Sequence, residues 1–166
     1  MSSYAFVDTY AHTVTYVTDK LLLCVTDIIR ESGLSPAKMS KEWVVLERGV
    51  SAWIQSKHLE QIVLEIFNPI TGALVSRWDI GIIYGYGGDG SLWVDTEVIK
   101  YSIKKAGLIP STCNYEVIVT NKPNWPAVEG WSGCRLRSTE GFSRHSIGTT
   151  IGGTGLGADI AYWGRP

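Results

Sequence analysis

Hydrophobic positions change period along the chain, and the changes mark its elements. Over residues 13–31, Val14, Val17, Leu21, Cys24, Val25 and Ile28 recur at three- and four-residue steps. That spacing draws one apolar stripe and predicts a helix, stopped at Gly33. Ser35-Pro36 has the form of an N-cap followed by proline at the first helical position. A second helix is predicted from there to about residue 57, with Trp43, Leu46, Val50, Trp53 and Ile54 on one face. Gly49 lies inside it and weakens it by about 1 kcal/mol relative to alanine.

The period then falls to two. Residues 59–67 set Ile62, Leu64 and Ile66 against Val63, Glu65 and Phe67, and residues 73–84 alternate in the same way. The intervening Asn68-Pro69-Ile70-Thr71-Gly72 is turn chemistry, so the two runs predict a β-hairpin. A glycine-rich loop at 85–91 leads to a third helix, capped by Asp95 or Thr96 and ended by Gly107 with Pro110 beyond. Residues 114–120 read as a strand, with Tyr115, Val117 and Val119 on one side and Glu116 and Ile118 on the other.

Regular patterning fails after residue 120. Nine glycines fall between 130 and 164, with short strand-like pieces near 134–138, 145–151 and 158–163. Disordered tails lack aromatics, whereas this one carries Trp125, Trp131, Phe142, Tyr162 and Trp163. The tail is therefore expected to wrap over the domain and dock by aromatic anchors. Gly152-Gly153-Thr154-Gly155-Leu156-Gly157 is expected to act as a mobile hinge.

Composition narrows the function. The chain has 166 residues, 45% hydrophobic and 19% charged, with a net charge of −1 and a pI of about 6.3. That is one ordinary globular domain, and near-neutrality disfavours nucleic acid as the main partner. No run approaches the roughly 18 apolar residues of a membrane span, and no signal peptide is expected at the N-terminus. Cys24, Cys113 and Cys134 are odd in number and widely spaced, which fits reduced thiols in a cytosol.

Catalytic signatures are incomplete. Gly85, Gly87 and Gly90 match G-x-G-x-x-G, but no helix opens at the glycines as pyrophosphate binding requires. The 152–157 glycines lack the lysine of a P-loop. Gly90-Ser91 with Asp95 offers one carboxylate where two-metal chemistry needs at least two. His12, His58 and His145 stand far apart, with no cysteine or carboxylate at metal-ligand spacing. No catalytic residue, cofactor or metal is expected. Two further readings of these residues stay open: a small hydrolase using His145 or Asp95, and a static assembly subunit.

Six stretches carry a family resemblance: 12–19 (HTVTYVTD); Asn68-Pro69 with 74–80 (LVSRWDI); 95–97 (DTE) with 103–108 (IKKAGL); 129–132 (EGWS); 137–139 (RST); and 155–159 (GLGAD) with Tyr162-Trp163. In this order the chain resembles the bacterial HORMA domain proteins of CBASS anti-phage signalling operons. The resemblance implies an α+β fold over 1–166, three helices on an antiparallel sheet, with a core at 1–127 and a C-terminal safety belt at 128–166. It implies a bacterial, cytoplasmic protein that closes on a short peptide, added as a strand beside 114–120. The peptide-binding residues it implies are Tyr115, Val117, Val119, Trp131, Arg137, Tyr162 and Trp163. The closed form is expected to bind and activate a cGAS/DncV-like nucleotidyltransferase. A AAA+ ATPase remodeller is expected to reopen it by engaging the N-terminal Ser2, Ser3, Tyr4, Ala5 and Phe6.

Overall fold

The stripe predicted on the first helix is the centre of the core. In the computed structural model, which describes residues 9–87 and 91–165, α1 spans Thr9–Glu31. Val17, Leu21, Val25 and Ile28 are fully buried along it. The helix starts ahead of its stripe, at Thr9 rather than 13. Next, α2 spans Ala37–Gln55. Ser35 stands one residue before the cap position: its Oγ accepts the Ala37 N–H at 3.3 Å, and Pro36 is the cap.

The hairpin forms β1 (Leu59–Phe67) and β2 (Leu74–Tyr84). Asn68 Oδ1 accepts the Ile70 N–H at 2.9 Å in the turn between them, and Gly72 has a φ of 73° there. A two-residue strand, β3 (Trp93–Val94), precedes α3 (Thr96–Ala106). Asp95 Oδ1 caps α3 by accepting the Val98 N–H, and Gly107 at φ 89° ends it. The chain continues as β4 (Asn114–Asn121), then β5 (Ser143–Gly153) and β6 (Leu156–Gly164).

All six strands are antiparallel, in the order β3-β5-β6-β2-β1-β4. The helices cover one face of this sheet, where Ile62, Leu64, Ile66, Trp78, Ile80 and Ile160 join the stripe of α1 in a single apolar cluster. The fold is α+β with three helices, as the sequence implies.

The tail departs from its sequence reading. Residues 134–138 are irregular, whereas 143–164 form one long hairpin. The glycines at 152–157 are the turn of that hairpin rather than a mobile hinge. Gly155 takes a φ of 76°, donates to Tyr86 O and accepts the Gly85 N–H, each at 3.0 Å. Gly152 lets the Trp93 indole lie directly on β5, leaving no room for a Cβ. Glycine here serves close packing and a tight turn.

Candidate functional site

Among the described residues, strand β4 is an open edge of the sheet, paired with β1 alone. Its backbone directions follow from Tyr115. That residue's carbonyl accepts Lys38 Nζ at 2.9 Å, and its N–H donates to Asn114 Oδ1 at 2.8 Å. Both groups therefore point away from β1. Backbone polarity alternates along a strand, so the N–H and C=O of Val117 and Val119 also face outward. The side chains of this odd-numbered set turn toward the helices. The Tyr115 hydroxyl donates to Ser35 O at 2.8 Å and accepts the Met39 N–H at 3.3 Å.

The segment after β4 runs back along α2 on the far side of a groove. Trp53 Nε1 donates to Pro126 O at 2.7 Å, and Trp131 Nε1 donates to Val45 O at 3.0 Å. The two indoles meet edge to face, with centroids 4.9 Å apart. Gly49 makes this possible. A Cβ there would stand 2.7 Å from Trp131 Cζ2 and closer still to Nε1 and Cε2. The glycine that weakens α2 is the seat of the tryptophan.

Six residues further on, the chain has reached the opposite face of the sheet. Glu65 alternates with the core residues Leu64 and Ile66 and so points to that second face, fully buried. Its Oε2 accepts the Arg137 N–H at 2.7 Å, and its Oε1 accepts Arg137 Nη1 at 2.8 Å. Arg137 also reaches Glu116 Oε2 at 3.2 Å and Gly72 O at 3.1 Å, and its guanidinium lies 3.6 Å from the centroid of Phe67. Burial disfavours the Arg137 charge, but the hydrogen bonds and charges of Glu65 and Glu116 outweigh it and raise its pKa. Cys134, just before this node, has its thiol pKa raised by partial desolvation and then by Glu116 and Glu65, against Arg137.

Pinned at Trp131 and at Arg137, the chain between them loops around the outside of β4. Two adjoining cavities fill the space so enclosed. One, of about 380 Å³, is lined by Trp53, Val117, Val119, Asn121, Trp125 and Trp131 among others. The other, of about 320 Å³, is lined by Lys38, Glu42, Glu116, Val117 and Trp131 among others.

The residues expected at a peptide site divide into three groups. Val117, Val119 and Trp131 line this groove together. Tyr115 and Arg137 border it without lining either cavity. Tyr115 has its outward carbonyl filled by Lys38, and Arg137 is committed to Glu65. Tyr162 and Trp163 are not brought there. They lie in β6, paired with Trp78 and Arg77 of β2, and β2 and β1 separate them from β4. Trp163 Nε1 donates to Asp79 Oδ2 at 2.9 Å, on a buried Arg77–Asp79 ion pair of 2.7 Å. The aromatic content of the tail could not distinguish anchors of the belt from anchors of a strand. The N-terminal Ser2, Ser3, Tyr4, Ala5 and Phe6 lie outside the described residues.

Sequence reading also missed Lys38, Gly49 and Glu65. A glutamate between Leu64 and Ile66 in an otherwise apolar run was the visible signal for the last. His145 stacks on Tyr162 with ring centroids 5.0 Å apart, and Asp95 accepts the Val98 N–H as the cap of α3. Among the described residues, no group of three or more His, Cys, Asp or Glu side chains could hold a metal ion. No described helix is long and apolar enough to cross a membrane. A separate cleft of about 650 Å³ lies between α1 and α3. Cys24 at its wall is buried, its thiol pushed up to about 12 by desolvation and by Asp27.

Helices on one face of an antiparallel sheet, with a chain segment looped around its open edge, define the HORMA class of fold. A chain of the mitotic checkpoint complex superposes with a TM-score of 0.77 at 12% identity, over 93% of this chain and 99% of that one. The C. elegans protein HTP-2, solved bound to the HIM-3 closure motif, gives 0.68 at 9% identity over 98% and 99%. A chain of the E. coli MS115-1 CdnC:HORMA-deltaN complex gives 0.59 at 11% identity over 100% and 93%. Among curated proteins, none matches. The sequence profile of the family described as Bacterial HORMA domain 2 matches residues 1–166, and the chain belongs to that family.

Proposed function

We propose that this protein is a peptide-closing switch in anti-phage signalling. An extended peptide adds to β4 as a further strand, and the belt retains it by passing outside it. The observation that carries this reading is the outward-facing backbone of Val117 and Val119, lying unroofed by any strand inside a loop of chain fixed on both faces of the sheet. Strand addition is the recognition mode such an edge supports, because main-chain groups supply the pairing whatever the peptide sequence. The belt, expected at 128–166, comprises the segment looped around β4 and the β5–β6 hairpin that follows it.

The loaded form then binds and activates a cGAS/DncV-like nucleotidyltransferase. The family match supports this step, as does the likeness in fold to a HORMA chain solved with CdnC. A AAA+ remodeller resets the switch by pulling on Ser2, Ser3, Tyr4, Ala5 and Phe6 and dragging α1 from the sheet. The chain itself performs no chemistry; it acts in the cytoplasm by binding.

Reconstitution tests the reading. Nucleotide synthesis by the partner enzyme should require both this protein and a peptide that binds it. Deleting residues 2–8 should leave that stimulation intact and abolish its ATP-driven reversal. Stimulation that ignores the peptide would refute the switch.

A further inference from the structure

The two cavities beside β4 differ in chemistry, and the difference specifies the ligand. The cavity nearer the end of the strand has no ionisable group in its lining except the Cys134 thiol. The indole N–H groups of Trp53 and Trp131 are spent on backbone carbonyls, so the walls they offer are carbon. Trp125 completes the lining and is 52% exposed, a large apolar surface left uncovered. Asn121 and Ser132 are the uncharged polar side chains in it, and Asn121 Oδ1 is buried with no hydrogen-bond partner. The neighbouring cavity instead gathers Lys38, Glu42 and Glu116.

Register ties these cavities to particular peptide positions. Lys38 Nζ occupies the Tyr115 carbonyl and closes the edge at that end, as lysines commonly do on exposed strands. Pairing is thereby restricted to Val117 and Val119. Residues directly opposite one another in a sheet project their side chains to the same face. A peptide residue set opposite Val119 therefore points toward α2, into the tryptophan-lined cavity. A charged side chain placed there would lose its hydration with no opposite charge in the lining to pair with.

We propose that the groove selects an extended peptide with a bulky apolar side chain opposite Val119, seated against Trp53, Trp125 and Trp131, and with a hydrogen-bond donor beside it for Asn121 Oδ1. This rests on the peptide reading above and adds the ligand's chemical class. Trp125 and Asn121 are then the specificity-determining residues, and Lys38 the register stop.

Selection from a displayed library of random dodecapeptides tests it. The intact protein should enrich peptides sharing one aliphatic or aromatic position. A synthetic copy of the winner should bind Trp125→Ala at least tenfold more weakly, with circular dichroism unchanged because Trp125 is an exposed residue. Ala127, also exposed in that lining, supplies a variant whose outcome misfolding cannot imitate. Ala127→Lys should redirect selection toward an acidic residue at the same position. Enriched peptides with no common apolar position, or an unaltered preference in Ala127→Lys, would overturn the proposal and leave strand addition standing. Failure of the intact protein to enrich any peptide would overturn both.

Discussion

Gly49→Ala separates the stability of the domain from the docking of its belt. In an isolated helix the change is favourable by about 0.8–1 kcal/mol. Here the new Cβ collides with the Trp131 indole, 2.7 Å from Cζ2 and closer to two other ring atoms. Overpacking of this kind costs about 1–3 kcal/mol when neighbours can shift. If Trp131 leaves its seat altogether, it forfeits the hydrogen bond to Val45 O, about 0.5–1.5 kcal/mol. It also forfeits the edge-to-face contact with Trp53, a similar amount. Either route weakens the docked belt by about 1–3 kcal/mol, and each 1.4 kcal/mol is a factor of ten. Peptide affinity should fall roughly tenfold to a hundredfold, measured by fluorescence polarisation with a selected peptide. Amide exchange should accelerate across 122–142 while β1 and β2 keep their protection. In a Trp131→Ala background the same substitution should be neutral or stabilising, because the collision partner is gone. Unchanged affinity and unchanged belt exchange in Gly49→Ala would show that Trp131 docking does not govern the groove.

Arg137→Ala strips a fully buried Glu65 of its cation, a loss worth about 3–5 kcal/mol if the carboxylate stays buried. The belt should instead lift to hydrate it, seen as proteolytic cleavage within 122–142 of a still-folded core; equal resistance in variant and parent would contradict the latch. Val117→Pro removes an outward N–H and should abolish peptide binding, whereas Val117→Ile should not, with thermal unfolding confirming that both variants fold. Cys134 should alkylate more slowly at neutral pH than an unperturbed thiol, since its pKa is raised, and faster once Arg137→Ala frees the belt from Glu65 and Glu116; mass spectrometry of iodoacetamide adducts reads this directly. Tyr10, Tyr84 and Tyr115 all have hydroxyl pKa values raised above 10.0 by burial. The folded state therefore holds these protons more tightly than the unfolded one. Its unfolding free energy, constant below that value, should decline as pH rises past it; a flat urea midpoint between about pH 9 and 11 would disprove the assignment.

Local pattern determined the elements whose partners lie on one stripe or one turn. The three- and four-residue spacing of Val14 to Ile28 needed only a sheet to face, and Asp95, Gly107 and the Asn68–Gly72 turn act within a few residues of themselves. These features are legible because the forces that set them are local in sequence. The two long strands after residue 142 showed in the sequence only as short pieces, at 145–151 and 158–163, because glycines and short polar residues mask the rest of their alternation. They become one long hairpin by pairing with each other and, through β6, along the edge of β2 from Arg77 to Tyr84. The site was legible to the extent that Val117 and Val119 follow from a β-rich run. Which edge of the sheet stays open is a property of strand order, and β4 is terminal because the C-terminal hairpin crosses to the other side of β2. Gly49 and Trp131 are 82 residues apart, and Glu65 and Arg137 are 72 apart. No window along the chain contains either pair. A glycine that looks like a helix defect and a glutamate that looks misplaced in a strand become the two seats of the belt only when tertiary packing brings the distant segment onto them.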